Sequence, residues 1–348
     1  MKRISSRSPR QISNGCALLL ALFLPGSAPA CDLCAIYRAG DAQGGTGRGL
    51  FLSLSHQYTP YRTTQLNGQE IQLQNPSHVD SAITHAVLGY NFSSRIGLSA
   101  SLPITRLQFK RTDLRYSLSA PPVLFTENGS SSGLGDLSLI GRVAVLQKVE
   151  MKRGLVVNLL AGVKLPSGDA DRLREEVDQA RIFNAFLPPG TPHDPLGHSV
   201  SSVHPHSLSL GSGSVDGIFG LTANGRWQRG FVNAQAQYSV RTHGESGFKF
   251  GNQLLISGGP GAFLLLTKSW TASLQANAVF DKQSRDVVLG KASDRTGSTA
   301  WYLGPLLNIT WDSHLSANFG IDLPVKLRNN GLQSVPDYRL HGGISWRF

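Results

Sequence analysis

Between Leu315 and Leu327 the chain alternates oily and polar side chains without a break. Leu315, Ala317, Phe319, Ile321, Leu323, Val325 and Leu327 fall on one side, and Ser316, Asn318, Gly320, Asp322, Pro324 and Lys326 fall on the other. A period of two marks an extended strand whose faces meet different surroundings. Val232 to Val240 and Ala272 to Phe280 repeat the pattern. A soluble sandwich alternates too. Here the apolar side runs unbroken for five to seven positions and carries an aromatic residue each time (Phe319, Tyr238 and Phe280), which suits hydrocarbon. Hydrocarbon offers no partner for a backbone N–H or C=O, so strands that cross it must close on themselves. The pattern therefore predicts an all-β, antiparallel, transmembrane barrel of the outer-membrane type.

Twelve strands are predicted, at 48–60, 79–92, 95–109, 134–148, 154–166, 208–228, 230–243, 249–267, 271–285, 298–311, 314–327 and 336–348. Short connections (93–94, 149–153, 229, 268–270, 312–313) alternate with longer ones (61–78, 110–133, 167–207, 244–248, 286–297, 328–335). Short periplasmic turns and longer outer loops are the asymmetry of such a barrel, and an even count leaves both ends in the periplasm. Gly258-Gly259-Pro260-Gly261 interrupts the 249–267 strand. Tyr90, Phe92, Trp301, Tyr302, Trp311 and Trp346 lie near strand ends, where interfacial aromatic girdles sit. The last strand ends Gly343-Ile344-Ser345-Trp346-Arg347-Phe348. Its Trp346 and Phe348 resemble the terminal signal by which the barrel-assembly machinery recognises its clients.

Residues 1–30 read as a secretory signal. Lys2, Arg3, Arg7 and Arg10 precede the apolar run Cys16 to Leu24, and Ala28-Pro29-Ala30 offers a small-x-small cleavage site. Nine apolar residues are too few for a spanning helix, which needs about 20. Cys31, directly after the site, also permits a lipoprotein reading, although Ala28 stands where that signal wants leucine. Residues 31–47 are then expected to form a short periplasmic tail, or a flap that folds into the pore, and 48–348 the barrel, with 167–207 as its long outer loop. The chain is 40% hydrophobic and only 16% charged, with 38 glycines, which fits strands joined by many turns. Its formal charge is +11, or +7 once the four signal cations are removed. A basic balance can mean nucleic acid. No nucleic-acid motif accompanies it, and export argues against that partner. Basic loops beside outer-membrane lipid and acidic lipopolysaccharide, or a cation-lined lumen, account for it.

Three segments fall at the outer rim of neighbouring strands: Gly133-Leu134-Gly135-Asp136-Leu137, Gly162 to Asp169 (GVKLPSGD) and Leu210 to Leu221 (LGSGSVDGIFGL). Their glycines permit bulges and positive φ where strands enter loops. Asp136, Asp169 and Asp216 suit hydrogen bonds to loop backbone, with a rim cation site as the sharper alternative. These segments, about 25 residues in all, resemble the outer-membrane β-barrel family labelled as transporters of the meta-pathway of phenol degradation. In layout the resemblance covers most of the mature chain. It implies a barrel that passes small, often hydrophobic solutes, and it implies the barrel more firmly than phenols.

Two cysteines remain after cleavage. Cys31 and Cys34 have C-x-x-C spacing, but Ala35 follows where haem attachment would need histidine. A small disulfide is the first reading in the oxidising periplasm, with metal capture second and redox exchange third. The connection 167–207 is long for an unstructured loop, and such loops are often functional. Asp169 to Phe186 fits a short helix with Leu173, Val177, Ala180 and Phe183 on one side. His193, His198, His204 and His206 follow among prolines. They read as part of a solvated loop, and more weakly as ligands for Zn²⁺ or Cu²⁺; a constriction folded into the lumen is the other reading. Strand parity turns Arg142, Lys164, Arg226, Arg241, Lys326 and Arg339 inward, with Asp322 among them. These cations either favour anions or polarised aromatic solutes, or pair with acids and fill the bore. No H-E-x-x-H or P-loop pattern is present. The chain is expected to be an outer-membrane channel for small solutes rather than an enzyme, and to need no cofactor. The alternative is a non-transporting barrel whose cysteine tail and histidine loop bind a metal or a partner.

Overall fold

The computed structural model describes residues 48–150, 153–188, 190–244, 246–312 and 314–348. The predicted signal, the tail and Cys31 and Cys34 lie outside the described residues. The main sheet contains β1 (Gly49–Tyr61), β2 (His78–Asn91), β3 (Ile96–Ser117), β4 (Ala120–Leu134), β5 (Ser138–Val149), β6 (Arg153–Lys164) and β7 (Asp216–Trp227). It continues through β8 (Gly230–Val240), β9 (Gln253–Leu266), β10 (Trp270–Gln283), β11 (Ser298–Trp311), β12 (Leu315–Asn329) and β13 (Arg339–Arg347). Neighbours pair antiparallel, and β13 returns to β1 from Phe51 opposite Arg347 to Tyr58 opposite Leu340. The sheet thus has no free edge at hydrocarbon depth.

β4 and β5 occupy one position in the ring. β3 pairs with β5 over Ile96–Ser101 and with β4 from Ile104 onward, so the closed barrel has twelve strand positions. The stretch 110–133, expected as a loop, is therefore a tall hairpin made by the end of β3 and by β4. Most of β4 is exposed on both faces, so the two-residue rhythm that marks lipid crossing is missing there.

Elsewhere the alternation sorts the two solvents. Leu52, Leu98, Leu274, Phe319 and Ile344 are exposed on the outside, while Ser53, Ser99, Gln275 and Asn277 are buried inside. Leu274, Leu307 and Phe319 lie in register across β10, β11 and β12 and form one row of the lipid-facing band. At the end carrying the short turns, Trp270 stacks on Trp311 with centroids 5.8 Å apart, and Tyr90 meets Phe92 edge-on at 5.2 Å. Phe280 and Trp301 pack at 4.7 Å nearer the other end. Tyr302 does not join this girdle: it is buried inside, with the Arg339 guanidinium 3.9 Å from its ring centroid. A closed sheet with an oily exterior and polar interior places the protein in the bacterial outer membrane.

Two irregularities need explanation. β9 runs unbroken through Gly258-Gly259-Pro260-Gly261. Gly258 and Gly259 have φ of 144° and 157°, and a Cβ there would sit 2.2 Å from Asn233 O and 1.9 Å from Ala276 O. Only glycine lets the strand pass between β8 and β10 at that point. In β12, Trp301 pairs with Lys326 and Tyr302 with Pro324, so Val325 is an extra, bulged residue.

The segment from 165 to 215 turns into the outer half of the bore. It contains α1 (Asp171–Phe186) and a 3₁₀ turn at Pro205–Leu208. The helix buries Leu173, Val177 and Ala180 against Leu196, Phe248, Phe250 and Val288. Its opposite face carries the exposed pairs Asp171–Arg174 and Asp178–Arg181, and it ends before Pro188, which disfavours a further helical turn. Val203 and Leu208 pack on the inward Val79, Ile83, Leu107 and Phe109 of β2 and β3. β7 accordingly starts at Asp216 rather than near 208, because the preceding residues belong to this plug.

Candidate functional site

The plug is fastened to the wall by charge. Arg111, fully buried on β3, reaches Glu127 of β4 at 2.8 Å and Glu175 of α1 at 2.7 Å. Arg172 of α1 bonds the same two carboxylates at 2.9 and 2.8 Å. Two guanidinium groups and two carboxylates thus close a square between helix and hairpin. Nearby, Asp113 accepts from Ser199 Oγ and Val200 N, both at 2.9 Å. On the far wall Arg295 Nη1 donates to Ser199 O at 2.7 Å, and Ser293 Oγ to Asp194 at 2.8 Å.

The three rim segments noted in the sequence meet in one place. Asp136 accepts from Gly168 N at 3.0 Å and from Ser212 N at 2.8 Å. The Lys164 ammonium lies 3.1 Å from Asp136 and 2.8 Å from Asp216, and it donates to Ser212 Oγ at 2.8 Å. Arg241 adds a 3.0 Å contact to Asp216. Asp169 Oδ1 accepts from Asp171 N, and its backbone carbonyl accepts from Leu210 and Gly211. Gly168 and Gly211 approach so closely that a Cβ on either would lie 2.9 Å or less from the other's backbone. The cluster locks both ends of the plug to β6 and β7. Lys164 occupies the position between the aspartates that a rim cation would need.

Under the plug lies a cavity of about 120 Å³, walled in part by Tyr61, His204, His206, Asp286, Tyr302 and Arg339. Arg339 bridges Tyr302 and Asp281, the latter at 3.4 Å. Glu176 points from α1 into a ring of histidines. His198 Nε2 is 3.1 Å from its Oε1, His204 Nδ1 is 3.7 Å from Oε1, and His206 Nδ1 is 3.1 Å from Oε2. Burial works to raise the Glu176 carboxyl, but the imidazoles of His198, His204 and His206 outweigh it and hold the group well below the usual carboxylate range. Burial also works against a charged His206, yet Glu176 and then Asp286 raise it above the usual imidazole value. Asp286 is itself pushed up, mainly by burial. The histidines expected in a solvated loop are therefore interior: His198, His204 and His206 are buried, and only His193, bonded to Thr191 O at 2.8 Å, is partly exposed. The apolar positions of α1 draw the loop inward, and the histidines follow it.

The other residues singled out in the sequence divide. Arg142 is buried in the bore and held by Asn91 at 2.9 Å and Asn158 at 3.2 Å, with Asn158 bonded on to Thr222. Asp322 is buried and accepts from Asn277 at 3.0 Å. Arg226 keeps the inward parity of Thr222 but is exposed at the short-turn end. Lys326 is exposed: the bulge at Val325 shifts the inward parity to Leu327, which packs toward Val279 and Tyr302. Trp346 and Phe348 are exposed, and Phe348 N donates to Leu50 O at 2.9 Å. Gly129 to Gly133 also spells a G-x-S-x-G pattern. It lies within β4, with Ser131 Oγ donating to Leu208 O at 3.4 Å, and not at the strand-to-helix elbow a nucleophile needs. The square around Arg111 and the partner role of Glu176 were also missed. Nothing in the spacing of residues 111, 127, 172 and 175 announces that they will touch.

No family model and no curated protein matches the chain. The likeness to the meta-pathway family therefore rests on the three rim segments alone. Among solved structures the chain is similar to the COG4313 outer membrane channel from Pseudomonas putida F1, at 13% identity and a TM-score of 0.59, covering 90% of this chain and 100% of that one. It is more distantly similar to the translocator domain of autotransporter NalP from Neisseria meningitidis (11% identity, TM-score 0.40, 87% of this chain, 89% of that one). The toluene transporter TodX from P. putida stands at 9% identity and a TM-score of 0.38, covering 93% of this chain and 96% of that one. At these identities the first likeness bears on the fold, and the other two carry no argument.

Proposed function

We propose that the barrel is a narrow outer-membrane channel for small solutes, with the 165–215 segment as its internal constriction. The observation that carries this reading is the division of the bore. Inward-facing Asn224 and Arg226 are exposed at one end, whereas the other half is filled by the chain's own plug around a cavity of about 120 Å³. By this measure a water needs about 10–15 Å³, so the cavity has room for several waters or a small solute. Arg142, Arg295 and Arg339 on or near the path favour anions or polarised aromatic solutes, and Tyr61 and Tyr302 offer ring faces to the latter. The same reading takes the barrel-assembly machinery as the partner for Trp346 and Phe348, and lipopolysaccharide as the partner for the basic outer loops. Planar-bilayer recording of the purified protein tests it. Small unitary currents with a reversal potential shifted toward the anion equilibrium value support the channel. Cation selectivity would remove the anion preference, and silence in both the native protein and a plug-released variant would remove the channel itself.

A further inference from the structure

Glu176, His204 and His206 sit outside the polar clusters that fasten the plug to its rim, and the fold as a hydrogen-bonded barrel does not require them. Two elements 30 residues apart bring them together, with Glu176 on α1 and the histidines flanking Pro205 at the start of the 3₁₀ turn. One ligand atom from each lies within 4.8 Å of the other two. All three side chains are buried. Glu176 Oε1 and His204 Nδ1 face each other at 3.7 Å, beyond hydrogen-bond distance, with His198 Nε2 3.1 Å from the same oxygen. A carboxylate oxygen and an imidazole nitrogen that converge on one point, with no proton bond between them, are arranged as metal ligands are.

We propose that Glu176, His204 and His206 form a binding site for a divalent transition metal of the Zn²⁺ class inside the plug. Two imidazoles and one carboxylate are a donor set that Zn²⁺ accepts. Ligands at about 2.0–2.1 Å from a tetrahedral ion lie about 3.3 Å apart; His204 Nδ1 is 3.7 Å from Glu176 Oε1, and His206 Nδ1 is 3.1 Å from Glu176 Oε2 in a hydrogen bond that a bound ion would replace. A second layer is in place. His198 Nε2 lies 3.1 Å from the Glu176 carboxylate, and Asp286 Oδ2 lies 3.9 Å from the far nitrogen of His206. Carboxylates behind a ligating imidazole orient it and raise its basicity. The fourth coordination position would face the cavity whose wall includes His204 and His206, leaving it open to water or a solute. The site goes beyond the channel reading and is decided by binding, whatever the barrel conducts.

The test uses the full mature protein in detergent, stripped with a chelator and titrated with Zn²⁺ against a chromophoric competitor. The same titration is run on a Cys31→Ser, Cys34→Ser variant, because that pair is an independent source of ligands. One Zn²⁺ retained by the cysteine variant, and weakened roughly tenfold or more by Glu176→Gln and by His204→Ala but not by His193→Ala, is the expected result. Failure to bind Zn²⁺ at micromolar concentration, binding lost with the cysteines, or binding indifferent to both Glu176→Gln and His204→Ala overturns the site. Folding of each variant is checked by the heat-dependent gel migration of the barrel. If the plug variants do not fold, Co²⁺ added to the native protein decides. Visible bands of nitrogen and oxygen ligation without a thiolate charge-transfer band uphold the site, and their absence overturns it.

Discussion

Replacing Arg111 by alanine should release the plug without unfolding the barrel. The side chain is 1% exposed and bonds Glu127 and Glu175, which are 27% and 32% exposed. Breaking a fully buried ion pair costs about 3–5 kcal/mol, and an exposed pair is worth about 0–1 kcal/mol. Both carboxylates here are about a third open to water, and Arg172 continues to hold each of them. The loss therefore falls between the limits, at about 2 kcal/mol for the helix-to-hairpin contact. Each 1.4 kcal/mol is a factor of ten, so the released plug should rise in population about 30-fold. β3 keeps its backbone pairing with β2 and β4, so the barrel itself should melt as before. Two assays read the change. Amide exchange over α1 should accelerate by about the same factor, and single-channel records should show openings correspondingly more often. Arg172→Ala removes a guanidinium that is 27% exposed and should do less. Exchange over α1 unchanged in Arg111→Ala, or acceleration spread equally over β8 to β13, would refute the argument that this square is the latch.

Three further outcomes follow from the wall. Lys164→Met removes the cation between Asp136 and Asp216, both buried. Asp216 keeps Arg241 and Asp136 keeps Gly168 N and Ser212 N, so the loss should fall below the roughly 3–5 kcal/mol of a fully uncompensated charge, at about 2 kcal/mol, lowering the thermal midpoint and loosening residues 210–216 in hydrogen exchange, with Lys164→Arg partly restoring both. Gly259→Ala sets a Cβ 1.9 Å from Ala276 O, so refolding yield by heat-modifiable migration should collapse, whereas Gly290→Ala, with nothing within 4 Å, should fold with only the small strain of its positive φ. Leu307→Arg in the lipid-facing row should cost about 2–4 kcal/mol if that row lies at the bilayer centre, while Asn224→Asp, inward-facing but exposed, should leave the denaturant midpoint nearly where it was.

The barrel was legible in the chain alone. Its two-residue rhythm is local, because lipid and water impose opposite demands on successive side chains. The rhythm was therefore readable in Leu315 to Val325, in Val232 to Val240 and in Ala272 to Phe280, with twelve strand positions following from the lengths between them. The helix of the plug was legible for the same reason, since Leu173, Val177 and Ala180 recur at helical spacing. The rhythm failed where one solvent touches both faces, as in β4, and where a bulge shifts the parity, as at Val325, which turned Lys326 away from the bore. The interior was decided only in three dimensions. Whether Arg111 meets Glu175, whether Lys164 lies between Asp136 and Asp216, and whether His204 and His206 converge on Glu176 depends on how a segment of some fifty residues lies back inside the ring. Those contacts join residues that share no strand and no repeat, so the chain carries the chemistry of each group while closure of the barrel chooses its neighbours.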